Sequence, residues 1–423
     1  MSSPSITLDT SSIHRLANGL TVLLEPLPYL RTASVGVWIA AGSGNETASQ
    51  AGISHFLEHL FFKGTATRTA RQLMESIESK GGHLNAFTSR DYTCLYAKML
   101  GEHVDTGIEI LADIVKDSQL LDFEKERNVI LEEIASIDDV PEDHVHDVLT
   151  KNVWPDHALG MPITGTKESM TAMSLEDARA YYQHWYRADN LIVSVAGAFD
   201  APAVLAQIER VFDALAAGRP EQPVGAPAFT ASVQQVDSDI TQNHLCFAFP
   251  GPGVHDARRF VYNMLSNALG GGSTSRLFET IREQEGLAYS IYGYQSTFWR
   301  TGAMGVYAAV APENLKKTYE LAFAEIRKLR DEPIPQEELE LNREQLKGSV
   351  LMALESTFNR MTRMAKSYMY HGRIISADEI ITGIESVTAE QIRQLAEDRY
   401  TPDQCALVSL GPIDGVALDG VPL

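Results

Sequence analysis

The chain is 423 residues long, 44% hydrophobic and 22% charged, with a formal net charge of −21. This is the composition of a globular protein and excludes a disordered chain. The acidic excess leaves no basic surplus to replace counterions on phosphates, which excludes a nucleic-acid binder.

At about 100–200 residues per domain, the length predicts two to four domains. The three cysteines, Cys94, Cys246 and Cys405, lie far apart without CxxC spacing. Neither a disulfide scaffold nor a thiolate metal site is expected, and each reads as a small buried hydrophobe. The opening MSSPSITLDTSSIHRL has no basic stretch followed by an apolar run. The nearby run ASVGVWIAAG is too short to span a bilayer. No secretory signal and no membrane span are expected, and a cytoplasmic location follows as the default.

In chain order, Asn18-Gly19 in RLANGLTVLLEP marks a turn between two strands. SVGVWIAAG follows as a buried strand. Helices are expected at 51–62 and 69–80. GGHLNAFTSRDYTCLYAKM reads as two strands around a Ser-Arg-Asp turn. Residues 122–139, DFEKERNVILEEIASIDD, read as a helix with Val129, Ile130, Ile134 and Ile137 at its apolar positions.

The chain then repeats itself. SLEDARAYYQHWYRADNLIVSVAG, from Ser174, aligns without a gap on TAEQIRQLAEDRYTPDQCALVSLG, from Thr388. Each reads as a helix and then a strand, with Ser174 and Thr388 as N-caps and Asp177 and Gln391 three residues later. YAKMLGEHVDTGIEILADIV, from Tyr96, resembles YAAVAPENLKKTYELAFAEI, from Tyr307, more weakly. Both pairs are offset by about half the chain, so two related halves are expected. Pro220, Pro223 and Pro227 mark the join within 216–229. The expected division is an N-terminal domain at 1–218, a linker at 219–229 and a C-terminal domain at 230–423. Clustered strands and clustered helices predict an α+β fold, each half a mostly antiparallel sheet with helices packed on one face.

Chemistry concentrates in HFLEHLFFKG, residues 55–64. On a helix, positions i, i+3 and i+4 share a face, so His55, Glu58 and His59 project together away from Phe56, Leu57, Leu60 and Phe61. Two imidazoles at i and i+4 can hold one divalent metal, zinc being the usual choice for nitrogen ligands. Glu58 then stands beside the metal, where a general base could act on an activated water. This H-x-x-E-H order is the inverse of the H-E-x-x-H zinc protease motif. The bland alternative is a pair of histidines satisfied by hydrogen bonds in a core. A catalytic zinc site needs a third protein ligand from another element. Glu126 and Glu133 lie seven apart on one face of the 122–139 helix, which otherwise reads as a solvated charged face.

With these residues together, the chain resembles the pitrilysin/insulysin family of inverted zincins. The nearer branch includes the β-subunit of mitochondrial processing peptidase and its bacterial homologues. The resemblance is carried by AGISHFLEHLFFKGT, GGHLNAFTSRDYTCLYAKML, KERNVILEEI, HALGMPITGT, YRADNLIVSVAG and GGGSTSRLFETIREQEGLAYSIYGY, which span both halves. It implies that His55, His59 and Glu133 hold one Zn²⁺ per chain, with Glu58 as general base. Glu126 is implied as a support behind the ligands. Asn85 is implied to approach the substrate backbone. Ala86, Phe87, Thr88 and Ser89 are implied to form an edge strand that pairs with an extended peptide. Ala158 departs from the family's usual proline in HPLG.

The second half reads SNALGGGSTS at 266–275, in the place of HFLEHLFFKG, with no imidazole or carboxylate. One metal site per chain is therefore expected. GGGSTSRL lacks the lysine and spacing of a phosphate loop. The second half does carry Arg282 and Tyr289. The resemblance implies that this pair reaches an active site from across a clamshell, the arginine binding substrate backbone and the tyrosine donating to a developing oxyanion. Family members of this length pair into two-chain clamshells around a chamber. One chain carrying both the metal motif and the Arg/Tyr pair thus implies a homodimeric peptidase acting on short or unfolded peptides. The alternative is a noncatalytic or partner-dependent subunit of a processing-peptidase-like complex. Among the other histidines, His144 and His146 read as exposed, His83 as close to the site, and His157 as part of a structural turn.

Overall fold

The Asn18-Gly19 turn folds the chain back between strands β1 (Ser12–Arg15) and β2 (Thr21–Pro26), which pair antiparallel. The computed structural model describes residues 11–222, 225–413 and 418. Residues 1–10 of the expected signal-free start, and residues 223 and 224 of the expected linker, lie outside these.

The first sheet continues with β3 (Thr32–Ile39). Two helices follow, α1 (Ile53–Phe61) and α2 (Ala70–Glu78), within two residues of the expected spans. The next hairpin is β4 (His83–Thr88) and β5 (Thr93–Leu100), and then come helices α3 (Val104–Asp117), α4 (Phe123–Asp138) and α5 (Pro141–Val153). Strand β6 (Leu191–Gly197) completes a six-stranded sheet in the order β1-β2-β6-β3-β5-β4. Only the β2–β6 pairing is parallel among its described strands.

Side chains alternate across the strands. Val35, Val37, Ile39, Leu95, Val193 and Val195 enter one core with Phe56, Leu57, Leu60 and Phe61 of α1 and with α3. The opposite face presents Ser34, Gly36 and Ser194, which admit the helix Thr357–His371 at close range. A Cβ on Gly36 would meet Met361 Sδ at 2.6 Å. Ser34 Oγ lies 2.9 Å from Thr357 Oγ1, and Ser194 Oγ donates to the Met361 carbonyl. Beside them Arg360 pairs with the fully buried Glu25 at 2.6 Å.

The second sheet holds β7 (Ser232–Val236), β8 (Asn243–Gly251), β9 (Ala288–Thr297), β10 (Gly302–Val310) and β11 (Ala406–Leu410), in the order β7-β11-β8-β10-β9. Phe247 and Phe249 pack on Phe323 from one face. Cys246, Tyr307 and Val408 meet Val145, Leu149 and Val153 of α5 on the other. The repeat is visible in local detail. Ser174 and Thr388 cap helices Leu175–Trp185 and Ala389–Arg399 through Asp177 N and Gln391 N, and the helices lead to β6 and β11.

The fold is α+β, and the compact units are discontinuous in sequence. One takes Met1–Ile134, Pro162–Pro223 and Val350–Glu379; the other takes Ala135–Met161, Val224–Ser349 and Ile380–Leu423. Two contiguous stretches about a linker do not describe this partition, because residues 135–161 go with the second sheet and 350–379 with the first. The physical reason is the second face of each sheet. It is covered by a helix whose sequence lies in the other half, so the expected helix layer on one face is joined by a helix on the opposite face.

His146 is corrected for the same reason. It is not an exposed histidine, since α5 lays it on the second sheet between Tyr292 and Tyr294, each hydroxyl 3.2 Å from a ring nitrogen. His144 is half-buried and lies 3.3 Å from Asp138. His157 closes a structural turn as expected, its ring accepting from Leu159 N. All three cysteines are free and buried.

Candidate metal centre

Helix α1 begins at Gly52, whose φ of +89° suits glycine, and where a Cβ would meet the Thr164 carbonyl at 2.5 Å. The first N–H groups of a helix lack intrahelical acceptors. Glu46 supplies one for two of them, accepting from Gly52 N at 2.7 Å and Ser54 N at 2.9 Å. Burial pushes the Glu46 carboxyl up to about 8, against the opposing pull of Ser54, Gly52 and Arg90. With Ile53, Phe56, Leu57, Leu60 and Phe61 locked in the core, the face bearing His55, Glu58 and His59 is fixed in direction.

Helix α4 brings its two glutamates to that face. His55 Nε2 lies 3.7 Å from Glu133 Oε1, and His59 Nε2 lies 3.6 Å from Glu133 Oε2. Ligand atoms of the three residues fall within 4.8 Å of one another. Glu126 is 3% exposed and stands behind them, with Oε2 3.5 Å from His59 Nδ1 and Oε1 2.9 Å from Lys63 Nζ. Burial, and then the neighbouring His59, lower the His55 pKa to about 4. The His55 ring is therefore neutral at ordinary pH, the state in which imidazole ligates a metal. Glu58 is raised, first by burial and also by Glu133, while Thr88 and His59 pull it down. Its Oε2 accepts from Thr88 Oγ1 at 2.6 Å.

The donor set fits zinc. Tetrahedral ligands about 2.0–2.1 Å from an ion stand roughly 3.3 Å apart. The separations of 3.6 and 3.7 Å are close to that edge and too long for hydrogen bonds. Two imidazole nitrogens and a carboxylate that face one another at these separations are arranged around a position for a cation. Glu126 faces the other ring nitrogen of His59, Nδ1, at 3.5 Å, which is longer than a hydrogen bond.

The expected peptide-pairing residues are placed unequally. Strand β4 is the edge of its sheet among the described strands, and it carries Asn85, Ala86, Phe87 and Thr88. Asn85 Oδ1 accepts from Ala86 N at 2.8 Å. Ser89 is corrected, because it lies beyond the strand with both backbone groups engaged: its N–H donates to the Tyr92 carbonyl and its carbonyl accepts from Ser43 N. His83, at the start of β4, is exposed.

In the second unit Arg282 and Tyr289 come together. Tyr289 is 82% exposed. Arg282 donates to the Tyr289 carbonyl at 2.6 Å, and its guanidinium lies 4.6 Å from the Tyr289 ring centroid and 4.6 Å from that of Phe278. The segment Phe278–Gln284 is π-helical, which is frequent at functional positions.

Sequence reading passed over Glu46, Lys63 and the Thr88 hydroxyl. Lys63 lies in the turn just after α1, so no helical spacing marks it. Glu46 lies six residues before Gly52 but outside any capping-box spacing, and the Thr88 hydroxyl acts across thirty residues, so no local spacing marks either.

Two family models match consecutive parts of the chain. The one described as insulinase, peptidase family M16, matches residues 21–167. The one described as the peptidase M16 inactive domain matches residues 172–346. An uncharacterized zinc protease of Bacillus subtilis (strain 168) is 38% identical over 395 residues, covering 93% of this chain and 96% of its own length. The chain belongs to peptidase family M16. An uncharacterized zinc protease of Mycobacterium leprae (strain TN) is 36% identical and covers 94% of this chain and 91% of its own length. A crystal structure of a protease from Helicobacter pylori shares the fold, with a TM-score of 0.88 and 23% identity over 95% of this chain and 99% of its own. The M16 match at residues 21–167 contains His55, Glu58, His59, Glu126 and Glu133, whereas the match named for an inactive domain contains Arg282 and Tyr289.

Proposed function

We propose that this M16 chain is a zinc-dependent endopeptidase that hydrolyses short or unfolded peptides. The observation that carries the reading is the convergence of His55 Nε2, His59 Nε2 and Glu133 from two helices, with Glu58 beside them. The zinc-protease names of relatives that match nearly the whole chain support it.

His55, His59 and Glu133 would hold one zinc ion per chain. When bound, it supplies Lewis acidity to a carbonyl oxygen and eases deprotonation of water. Glu58 takes the proton from the attacking water and hands it to the leaving amine. Glu126 holds His59 in orientation through Nδ1. The free edge of β4 pairs with an extended peptide through backbone hydrogen bonds, which gives loose sequence preference. Arg282 and Tyr289 bind substrate backbone and the developing oxyanion, and they are supplied by the second chain of a homodimer that encloses a chamber.

The test measures zinc content and cleavage of an internally quenched unfolded peptide by wild type and Glu58→Gln. Wild type binds one zinc per chain and cleaves. Glu58→Gln keeps the zinc and loses about 10²–10⁴-fold in kcat, the range of general acid–base catalysis. Full activity of Glu58→Gln contradicts the reading, and zinc binding without turnover in wild type favours a partner-dependent subunit. Mixing Glu58→Gln chains with Arg282→Ala chains restores cleavage in a shared-site homodimer; no recovery counts against that assembly.

A further inference from the structure

Thr88 occupies two chemical settings at once. Side chains at 84, 86 and 88 of β4 share one face, and Leu84 and Ala86 belong to the core beneath α1. The Thr88 hydroxyl therefore points to the helix layer, where it donates to Glu58 Oε2 at 2.6 Å. Its backbone points elsewhere. The Ser89 N–H donates to the Tyr92 carbonyl and closes the hairpin with a bonded pair. Bonded and non-bonded pairs alternate along an antiparallel ladder. In the observed register, Phe87, Asn85 and His83 then bond to Cys94, Tyr96 and Lys98, while Thr88, Ala86 and Leu84 turn their backbone groups to the free edge. The Ala86 N–H agrees with this, since it is held by the Asn85 side chain rather than by β5.

We propose that Thr88 is a positioning residue that ties peptide pairing to the general base. This rests on the reading of Glu58 as base. The Thr88 hydroxyl occupies Glu58 Oε2, so Oε1 is the oxygen that receives the proton from water. The Thr88 N–H and carbonyl face the edge where a peptide strand adds. One residue therefore sets both the register of the bound peptide and the direction of the carboxylate, and the scissile bond meets a base that is already aimed.

Zinc-loaded full-length Thr88→Val, Thr88→Ser and Thr88→Ala are compared with wild type on the same quenched peptide. Valine is nearly isosteric and keeps the backbone groups, and alanine serves if valine does not fold. Removing the hydroxyl lowers kcat about tenfold to a hundredfold, the scale of a small misalignment, with KM within about twofold. Thr88→Ser restores kcat to within about threefold of wild type. Crystals of the zinc-free proteins give a second readout: one Glu58 rotamer in wild type and Thr88→Ser, and more than one in Thr88→Val. An unchanged kcat with a single Glu58 rotamer in Thr88→Val overturns the proposal. A loss confined to KM that serine does not rescue also overturns it. Full activity in Glu58→Gln is a different failure, because it removes the base itself and leaves the Thr88 geometry intact.

Discussion

Residues 55–64 and 266–275 hold corresponding places in the two halves, and they spend their exposed positions differently. Helix α1 and the helix Arg259–Gly270 both sink an apolar stripe into a core, Phe56, Leu57, Leu60 and Phe61 in the first, Tyr262, Met264, Leu265 and Leu269 in the second. The remaining face of α1 holds His55, Glu58 and His59, opposite a helix with two more carboxylates. Its counterpart runs into Gly270, Gly271 and Gly272. The lesson is that packing specifies the fold on one stripe of the helix and leaves the other stripe for chemistry. A duplicated unit can thus keep its architecture while the two copies give that stripe different side chains, imidazoles and a carboxylate in one and glycines in the other.

Acid sharpens this contrast most. His55 is held near a pKa of about 4, below its ordinary 6.5, chiefly by burial. A lowered histidine pKa means that protons bind the unfolded chain more tightly. Its contribution to stability is complete above pH 6.5 and is lost as pH falls from 6.5 toward 4, by up to about 3 kcal/mol in the metal-free protein. Denaturant unfolding of chelator-treated protein across this range, compared with His55→Gln, measures it. The wild type should show the steeper pH dependence; equal slopes would locate the effect elsewhere. A smaller effect is expected behind the ligands. Glu126→Gln should weaken zinc affinity about tenfold to a hundredfold, the usual cost of losing a carboxylate that orients a ligating histidine. A chelator competition titration reads this directly, and an unchanged affinity would reduce Glu126 to a packing role beside Lys63.

Much of the site was legible because its signals are local. The i, i+3, i+4 spacing placed His55, Glu58 and His59 on one face before any fold was known, and the seven-residue interval did the same for Glu126 and Glu133. The capping boxes at Ser174 and Thr388 also follow from spacing alone. What escaped depends on contacts between distant segments. Nothing near Val145 or His146 says that their helix belongs on the second sheet. Likewise nothing near Met361 says that Gly36 and Ser34 leave room for it. Ser89 was legible as part of the Ser-Arg-Asp turn, and only the resemblance carried the edge strand on to it; its bond to Tyr92 sets the limit of the strand.

The central claim is tested most directly by anomalous diffraction at the zinc absorption edge from crystals of the zinc-loaded protein. The account predicts a single strong peak bounded by His55 Nε2, His59 Nε2 and a Glu133 oxygen, at about 2.0–2.2 Å from each. A peak elsewhere, or none in the presence of excess zinc, with the three side chains left unligated, would contradict it.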